Sequence, residues 1–351
     1  MYERTRFLII RLSSIGDVLH ATTVAHNLKK KYPLCHITWI VSSMSSELLQ
    51  YNPDIDELFI WSREKFEAAL YSGHWKICKA SIKKLCIFFA HHTFDIALDI
   101  HGLLMTGIIT RMSHAKRRIG MYHARECNRF FMQERGPKVS SPHKIHHYMS
   151  VLAALDGESS PHYDYDLILK LPLTLNDFAL QFFAANGIDT SRKILMVNPY
   201  TSWPDKNWGI DKFAVCLSHF PAEIQIILCG APGDCNAIAD IIAKLNRPAL
   251  SIAGKTTLLE LAALFQHADL LLSGDTGPLH IATAVGLRTI SLWGPTRPEM
   301  YGPLVGDHVF ICSDNICVNC CKTKCHLHTN ACMSTIDPAV VAKKTLELLD
   351  K

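Results

Sequence analysis

Residues 6–30 read RFLIIRLSSIGDVLHATTVAHNLKK, and this stretch decides the fold. The run Phe7-Leu8-Ile9-Ile10 is continuously apolar, as a strand covered on both faces must be. A short loop holding two serines and Gly16 follows, and residues 18–30 then place their apolar side chains at helical spacing. Strand, tight loop and helix together form the repeating unit of a parallel sheet sheathed in helices. The pattern recurs along the chain. Residues 36–41, 94–99, 194–198, 225–229, 269–273 and 289–293 predict further strands, and residues 75–89, 258–267 and 277–285 predict helices. Seven such strands exceed one typical sheet. Residues 157–172, rich in Ser, Pro, His and Asp, predict a linker, and a second βα series starts at Lys193. The expected organisation is a domain over 1–165, a second over 173–335 and a closing helix over 336–351.

Bulk properties limit what the motifs can mean. A chain of 351 residues, 48% hydrophobic and 19% charged, is long enough for two domains with separate cores. Its formal charge of +4 is too mild to demand a nucleic-acid partner. The apolar run near the N-terminus is too short for a signal peptide, and no stretch approaches the roughly 20 apolar residues of a membrane span. A cytoplasmic protein, at most peripheral to a membrane, is expected. Thirteen cysteines in a long chain of this kind are expected to remain thiols.

Three loops carry chemistry. The first, Arg11-Leu12-Ser13-Ser14-Ile15-Gly16-Asp17, leaves the first strand, and ligands in open α/β sheets bind outside the carboxyl ends of strands. Gly16 allows a tight turn, and Asp17 stands at the start of a helix. Two roles fit it: a general base facing a cleft, or a cap for the free amides of the helix. The absence of G-x-G-x-x-G weighs against a dinucleotide cofactor, and no cofactor is expected.

The second loop, Ser273-Gly274-Asp275-Thr276-Gly277-Pro278-Leu279-His280, runs from a strand end into a helix, with proline where the first turn tolerates it. A helix N-terminus presented in this way suits an anion, and the diphosphate of a nucleotide-linked donor is the natural one. Asp275 would oppose phosphate, so it suits sugar hydroxyls or the turn itself. His280, one helical turn after Thr276, shares its face, although a helix histidine is commonly structural. The third loop, residues 198–208, offers hydroxyls at Thr201 and Ser202 and an ammonium at Lys206 for a departing diphosphate. Taken alone it is an ordinary solvated loop.

In order along the chain, the runs RLSSIGDVLH (11–20), Thr201-Ser-x-x-x-Lys206-x-Trp208, SGDTGPLH (273–280) and LWGPT (292–296) resemble glycosyltransferase family 9, the ADP-heptose:lipopolysaccharide heptosyltransferases. The tail, with spaced cysteines and then Cys332-Met333 and Ile336-x-Pro338-x-x-Val341, looks most like the heptosyltransferase II branch. The resemblance implies a GT-B fold, α/β, with two Rossmann-like doubly wound domains facing a central cleft. In that arrangement the N-terminal domain binds the acceptor, the C-terminal domain binds the nucleotide sugar, and the final helix returns to the first domain. It implies an inverting, metal-independent transfer of heptose from ADP-L-glycero-D-manno-heptose to the inner core of lipopolysaccharide. Asp17 would be the catalytic base and Lys206 the group that stabilises the leaving diphosphate. Donor contacts carry over to Thr201, Ser202, Asp275, Thr276, Gly277 and His280, and acceptor contacts are placed at Ser14 and Gly16.

The sequence departs from the family in places. Where family members often carry an acidic ribose contact, the loop reads Ala231-Pro232-Gly233-Asp234, which nominates Asp234. Trp203-Pro204 interrupts a usually more polar donor loop. Residues 111–138 hold eight basic residues against two acidic ones. Such a run is ordinarily a solvated face. Beside the resemblance it suggests, through Arg117 and Arg118, a phosphorylated lipid A core acceptor and an anionic inner-membrane surface. Six cysteines lie between Cys312 and Cys332; they are read as structural thiols or an occasional disulfide, with Cys317, Cys320, Cys325 and Cys332 as an alternative zinc set. Three rival functions remain: a nucleotide-sugar epimerase, which would need no acceptor; a nonenzymatic nucleotide-sugar binder; and a nucleic-acid binder, for which the basic run lacks interleaved aromatics. A family 9 enzyme with a different donor sugar also fits, and whether the first or second core heptose is added stays open.

Overall fold

The computed structural model describes residues 4–157, 162–314, 317 and 320–351, which form two compact units, Met1–Lys170 and Leu171–Lys351. The first unit runs β1 (Arg6–Ile10), α1 (Ile15–Lys31), β2 (His36–Val41), β3 (Glu57–Ile60), α2 (Arg63–Tyr71), α3 (Trp75–His91), β4 (Ile96–Asp99), α4 (Leu104–Met112), β5 (Arg117–Gly120), β6 (Glu134–Arg135) and α5 (Lys144–Asp156). Its sheet is parallel, in the order β3-β2-β1-β4-β5-β6, with Phe7 of β1 opposite Ile37 on one side and Ile96 on the other.

The second unit runs α6 (Leu173–Ala185), β7 (Ile194–Asn198), α7 (Ile210–Ser218), β8 (Gln225–Leu228), α8 (Cys235–Ala243), β9 (Leu250–Ser251), α9 (Leu258–Gln266), β10 (Leu270–Gly274), α10 (Gly277–Ala284), β11 (Thr289–Trp293), α11 (Pro298–Tyr301), β12 (His308–Cys312), α12 (Ala331–Ser334) and α13 (Pro338–Leu349). Its order, β12-β11-β10-β7-β8-β9, repeats the topology of the first sheet. Each sheet starts at its centre, winds outward, then crosses back to the other side of its first strand. The reversal lies between β1 and β4 in one unit and between β7 and β10 in the other. There the following helices diverge to opposite faces and leave a crevice at the carboxyl edge.

The seven strands expected from apolar runs are β1, β2, β4, β7, β8, β10 and β11. The other five lack that signal for physical reasons. No residue of β3 is fully buried, β6 and β9 have two residues each, β12 buries one, and β5 opens on two arginines. Central strands show why runs mark the middle of a sheet. Phe7 and Ile9 enter one core with Val18 of α1 and Met149 of α5, while Leu8 and Ile10 enter another with Leu85 and Phe89 of α3.

Part of the expected linker belongs to the first unit. Asn27 of α1 donates from Nδ2 to the Asp164 carbonyl at 2.9 Å and accepts the Asp164 N–H at 3.0 Å, and the Ile168 N–H donates to Thr22 Oγ1 at 2.9 Å. The final helix, expected to return to the first domain, buries Val341, Ala342, Leu348 and Leu349 in the core of the second unit, beside Trp208 and Phe213. Among the described residues no helix is long and apolar enough to cross a membrane.

Candidate active site

At the carboxyl edge of the first sheet the loop after β1 turns into α1, with Ser14 capping the helix and Asp17 in its first turn. Both roles expected of Asp17 meet here. Its Oδ2 accepts from Ser14 Oγ at 2.9 Å, which organises the cap, and pairs with Arg11 Nη2 at 2.7 Å. Its Oδ1 accepts from the Tyr148 hydroxyl at 2.5 Å, reaching across from α5. Arg11 is itself fixed: Nη1 donates to the Ile100 carbonyl at 2.8 Å, and the guanidinium lies 4.8 Å from the centre of the Tyr148 ring. Burial alone would raise the Asp17 pKa; Arg11 first, then Tyr148, His20 and Ser14, outweigh it and hold the carboxyl well below the ordinary carboxylate range. The group is therefore a carboxylate at every ordinary pH, and its side chain keeps 23% exposure.

Beside it, β4 ends in Asp99, fully buried, whose carboxylate receives the N–H groups of His101 and Gly102 at 3.0 and 2.9 Å and Asn128 Nδ2 at 2.7 Å. Burial nevertheless raises its pKa. This clasp sets His101, whose Nδ1 accepts from the Leu12 N–H at 3.4 Å and whose Nε2 lies 3.3 Å from Arg63 Nη1. Burial, then Arg11 and Arg63, push the His101 pKa down to about 3, so the imidazole is neutral. Arg63 Nη1 also donates to Ser13 Oγ at 2.9 Å, tying the start of α2 to the Asp17 loop.

In the second unit, the loops after β7 and β10 meet. Lys206 Nζ pairs with Asp275 Oδ2 at 2.6 Å, Thr296 Oγ1 donates to the same oxygen at 2.6 Å, and His280 Nε2 lies 3.8 Å from Oδ1. Burial would raise the Asp275 pKa, but His280 and Lys206 hold it below the carboxylate range. Lys206 Nζ also stands 4.3 Å from the centre of the Trp203 ring, so the tryptophan of the unusual Trp203-Pro204 pair covers one side of the ammonium. Thr201 is oriented by Asn207, whose Oδ1 accepts its N–H at 2.9 Å, and a side chain at Gly274 would come within 3.0 Å of Thr201 Cγ2. Glycine lets the two loops close on each other. Thr276 caps α10 with an extended backbone, placing Gly277 at the first helical position, and Ser202 is exposed nearby in sequence. Asp234 is half-buried after β8, and its Oδ2 accepts the Ala231 N–H at 2.8 Å. What this unit offers is one ammonium, hydroxyls and a helix N-terminus for an anion, anchored by an internal carboxylate.

The sequence profile of glycosyltransferase family 9 (heptosyltransferase) matches residues 84–330, most of the chain. The chain belongs to glycosyltransferase family 9. A curated family relative, the lipopolysaccharide core heptosyltransferase OpsX of Haemophilus influenzae, is 30% identical over 301 residues, covering 84% of this chain and 80% of its own. Solved structures of the same fold include the glycosyl transferase family 9 protein of Veillonella parvula, at TM-score 0.82 and 23% identity over 99% of this chain and 98% of that one. Heptosyltransferase WaaC of Escherichia coli with ADP aligns at TM-score 0.76 and 20% identity over 98% and 99%. The protein is thus a transferase, and both of its sheets have the α/β architecture of GT-B heptosyltransferases.

Within the family frame, Asp17, Ser14 and Gly16 gather at one carboxyl edge, and Lys206, Thr201, Asp275, Thr276, Gly277 and His280 at the other. Arg117 and Arg118 do not join the first group. They open β5, in register with Ile96 and Ala97 at the start of β4, and so lie toward the amino edge of the sheet. Arg117 is held by Glu134 in two bonds of 2.8 and 2.7 Å, and Arg118 donates to the carbonyls of Phe131 and Ala115 at 3.0 and 3.2 Å. Their charge is used to bind the irregular segment before β6 to β5. The residues that sequence reasoning passed over are Arg11, Tyr148, His101, Arg63 and Thr296. Arg11 and Thr296 stand inside quoted motifs, whereas Tyr148, 131 residues from Asp17, carried no local signal. Among the described residues no cysteine is in a disulfide, and no group of three or more His, Cys, Asp or Glu side chains is placed to hold a metal ion.

Proposed function

We propose that the protein is an inverting transferase that moves heptose from ADP-L-glycero-D-manno-heptose to the inner core of lipopolysaccharide, with Asp17 as general base. One observation carries the reading: Asp17, at the switch point of the first sheet, is held as a carboxylate by Arg11 on one oxygen while the other faces Tyr148. ADP is bound in the solved WaaC structure, and the curated relative is a lipopolysaccharide core enzyme.

In this reading an acceptor hydroxyl gives its proton to Asp17 Oδ1 as its oxygen attacks the anomeric carbon. The bond from that carbon to the diphosphate breaks, and its electron pair leaves with ADP. A carboxylate with so low a pKa is a weak base, so proton transfer must accompany the attack. Charge building on the diphosphate falls to Lys206 and the amides at the start of α10, with Thr201, Ser202, Thr276 and Gly277 as further donor contacts. Asp275 and His280 position Lys206, and Asp234 serves the ribose. Ser14 and Gly16 line the acceptor side, and an acceptor carried by lipid A brings the enzyme to the cytoplasmic face of a membrane.

The test is ADP release by purified enzyme given ADP-heptose and either inner-core lipid A or its monoheptosylated form, for wild type and Asp17→Asn. Acceptor-dependent release that the substitution abolishes supports the assignment, and the preferred acceptor identifies the step. Release without acceptor would favour an epimerase or hydrolase. No release with either acceptor would move the donor to another nucleotide sugar.

A further inference from the structure

α3 presents two faces of opposite character. Cys78, Leu85, Phe88 and Phe89 point inward, the last three packing with Trp61 and Phe94. Outward it exposes Trp75, Ile82 and Ile87 among Lys76, Lys79, Lys83 and Lys84. Residues 72–92 contain no acidic side chain, and among the described residues none of the four lysines makes an ion pair. Among the described residues of the first unit, nothing neutralises or covers this face.

Two hydrogen bonds fix the direction of the helix. Trp61, just past the carboxyl end of β3, donates from Nε1 to the Ser81 carbonyl at 3.3 Å, while His92 Nε2 meets Glu57 Oε1, at the start of β3, at 3.0 Å. α3 therefore descends from the carboxyl edge to the amino edge. Trp75 precedes Ser81 by six residues, about 9 Å at helical rise, so it stands beyond the carboxyl edge. α2 leaves that same edge at Arg63, bonded to Ser13 of the Asp17 loop, and ends in Tyr71. The α2–α3 turn thus projects from the end of the unit that holds Asp17, with Tyr71 88% and Trp75 62% exposed.

Aromatic side chains at a tip, with isoleucines and unpaired lysines behind them, match the chemistry of a bilayer surface: rings at headgroup depth, apolar side chains just below, ammonium groups on lipid phosphates. We propose that the α2–α3 turn and the outer face of α3 dock on an anionic phospholipid bilayer, presenting the Asp17 edge to acceptors held in that bilayer. The orientation toward an acceptor rests on the function proposed above; the docking itself does not. The basic run at 111–138 is not needed for it, because Arg117 and Arg118 are engaged within the fold.

The experiment is co-sedimentation of the full chain with vesicles of phosphatidylethanolamine and phosphatidylglycerol, against phosphatidylcholine alone, at low and high salt. It compares wild type, Trp75→Ser and Lys79→Glu/Lys83→Glu. All substituted positions are exposed, and unchanged melting temperatures verify folding. The expected result is binding to the anionic vesicles only, weakened by salt and reduced roughly tenfold or more by either variant. A second arm measures transfer: both variants keep wild-type kcat/KM on a deacylated, soluble acceptor and lose it on vesicle-embedded acceptor. Vesicle binding indifferent to both variants, or absent from wild type, overturns the proposal. So does a concentration-dependent dimer dispersed by Trp75→Ser, which would assign the face to a second copy of the chain. Because binding needs neither donor nor acceptor, a failure of the transfer reading leaves the sedimentation result intact, and the reverse also holds.

Discussion

The Tyr148 hydroxyl donates to Asp17 Oδ1 at 2.5 Å while Arg11 holds Oδ2 at 2.7 Å, so both carboxylate oxygens are oriented by groups from outside their own helix. Tyr148→Phe removes a hydrogen bond to a charged group, a loss of about 1.5–3 kcal/mol that weakens the bias toward the ionised form. The Asp17 pKa then rises. Since the base must be unprotonated, the acidic limb of kcat/KM, which in wild type lies below the ordinary carboxylate range, moves up toward that range by about one to two units. An unmoved limb in Tyr148→Phe would show that Asp17 does not carry the proton that limits the rate.

Lys206 and Asp275 form a buried pair, with side chains 13% and 8% exposed. Replacing Lys206 with Met leaves Asp275 uncompensated except by Thr296 and His280, and breaking such a pair costs about 3–5 kcal/mol. The double variant Lys206→Met/Asp275→Asn should recover much of that stability in a denaturant melt while remaining without transfer. If it stays as unstable as the single variant, the anchoring role given to Asp275 is wrong.

Arg117→Ala should lower stability by about 1 kcal/mol or less, because its pair with Glu134 is partly exposed, and should leave the acceptor KM unchanged. Steady-state kinetics against both acceptors decide this. An increase in acceptor KM would restore the acceptor role that the basic run suggested.

His101 gives stability a pH dependence of known sign. Its pKa is about 3 when folded and 6.5 ordinarily, so between those values the unfolded chain binds the extra proton. Stability from this site is complete above about 6.5 and is lost as pH falls toward 3. Urea melts across that range should show a shallower fall for His101→Gln than for wild type; equal slopes would refute the assignment.

Leu348 is buried in the core of the second unit, and Leu348→Ala should destabilise by about 3 kcal/mol through lost burial and a residual cavity. Calorimetry would place the loss in the transition of residues 171–351. A change confined to the transition of the first unit would contradict the packing of α13.

From the sequence alone came the α/β class, the central strands and the three strand-end loops. Each is written locally: a strand covered on both faces must be a run of apolar residues, as in Phe7 to Ile10, and a loop entering a helix carries a capping residue with an acidic side chain in the first turn, as at Ser14 and Asp17. The edge strands escaped because half-exposed residues such as those of β3 need not be apolar. Only the tertiary structure decided which charges are free to act. Asp17 and Tyr148 are brought together by the packing of α5 on α1, and Lys206 meets Asp275 because β7 and β10 are neighbours in the sheet. Arg117 and Arg118 look available in the sequence but are engaged by Glu134 and by carbonyls around β5. The lysines of α3 look like any solvated helix until Trp61 and His92 fix which way that helix runs. Charge is local to a residue, whereas its partner and its direction belong to the fold, and chemistry depends on all three.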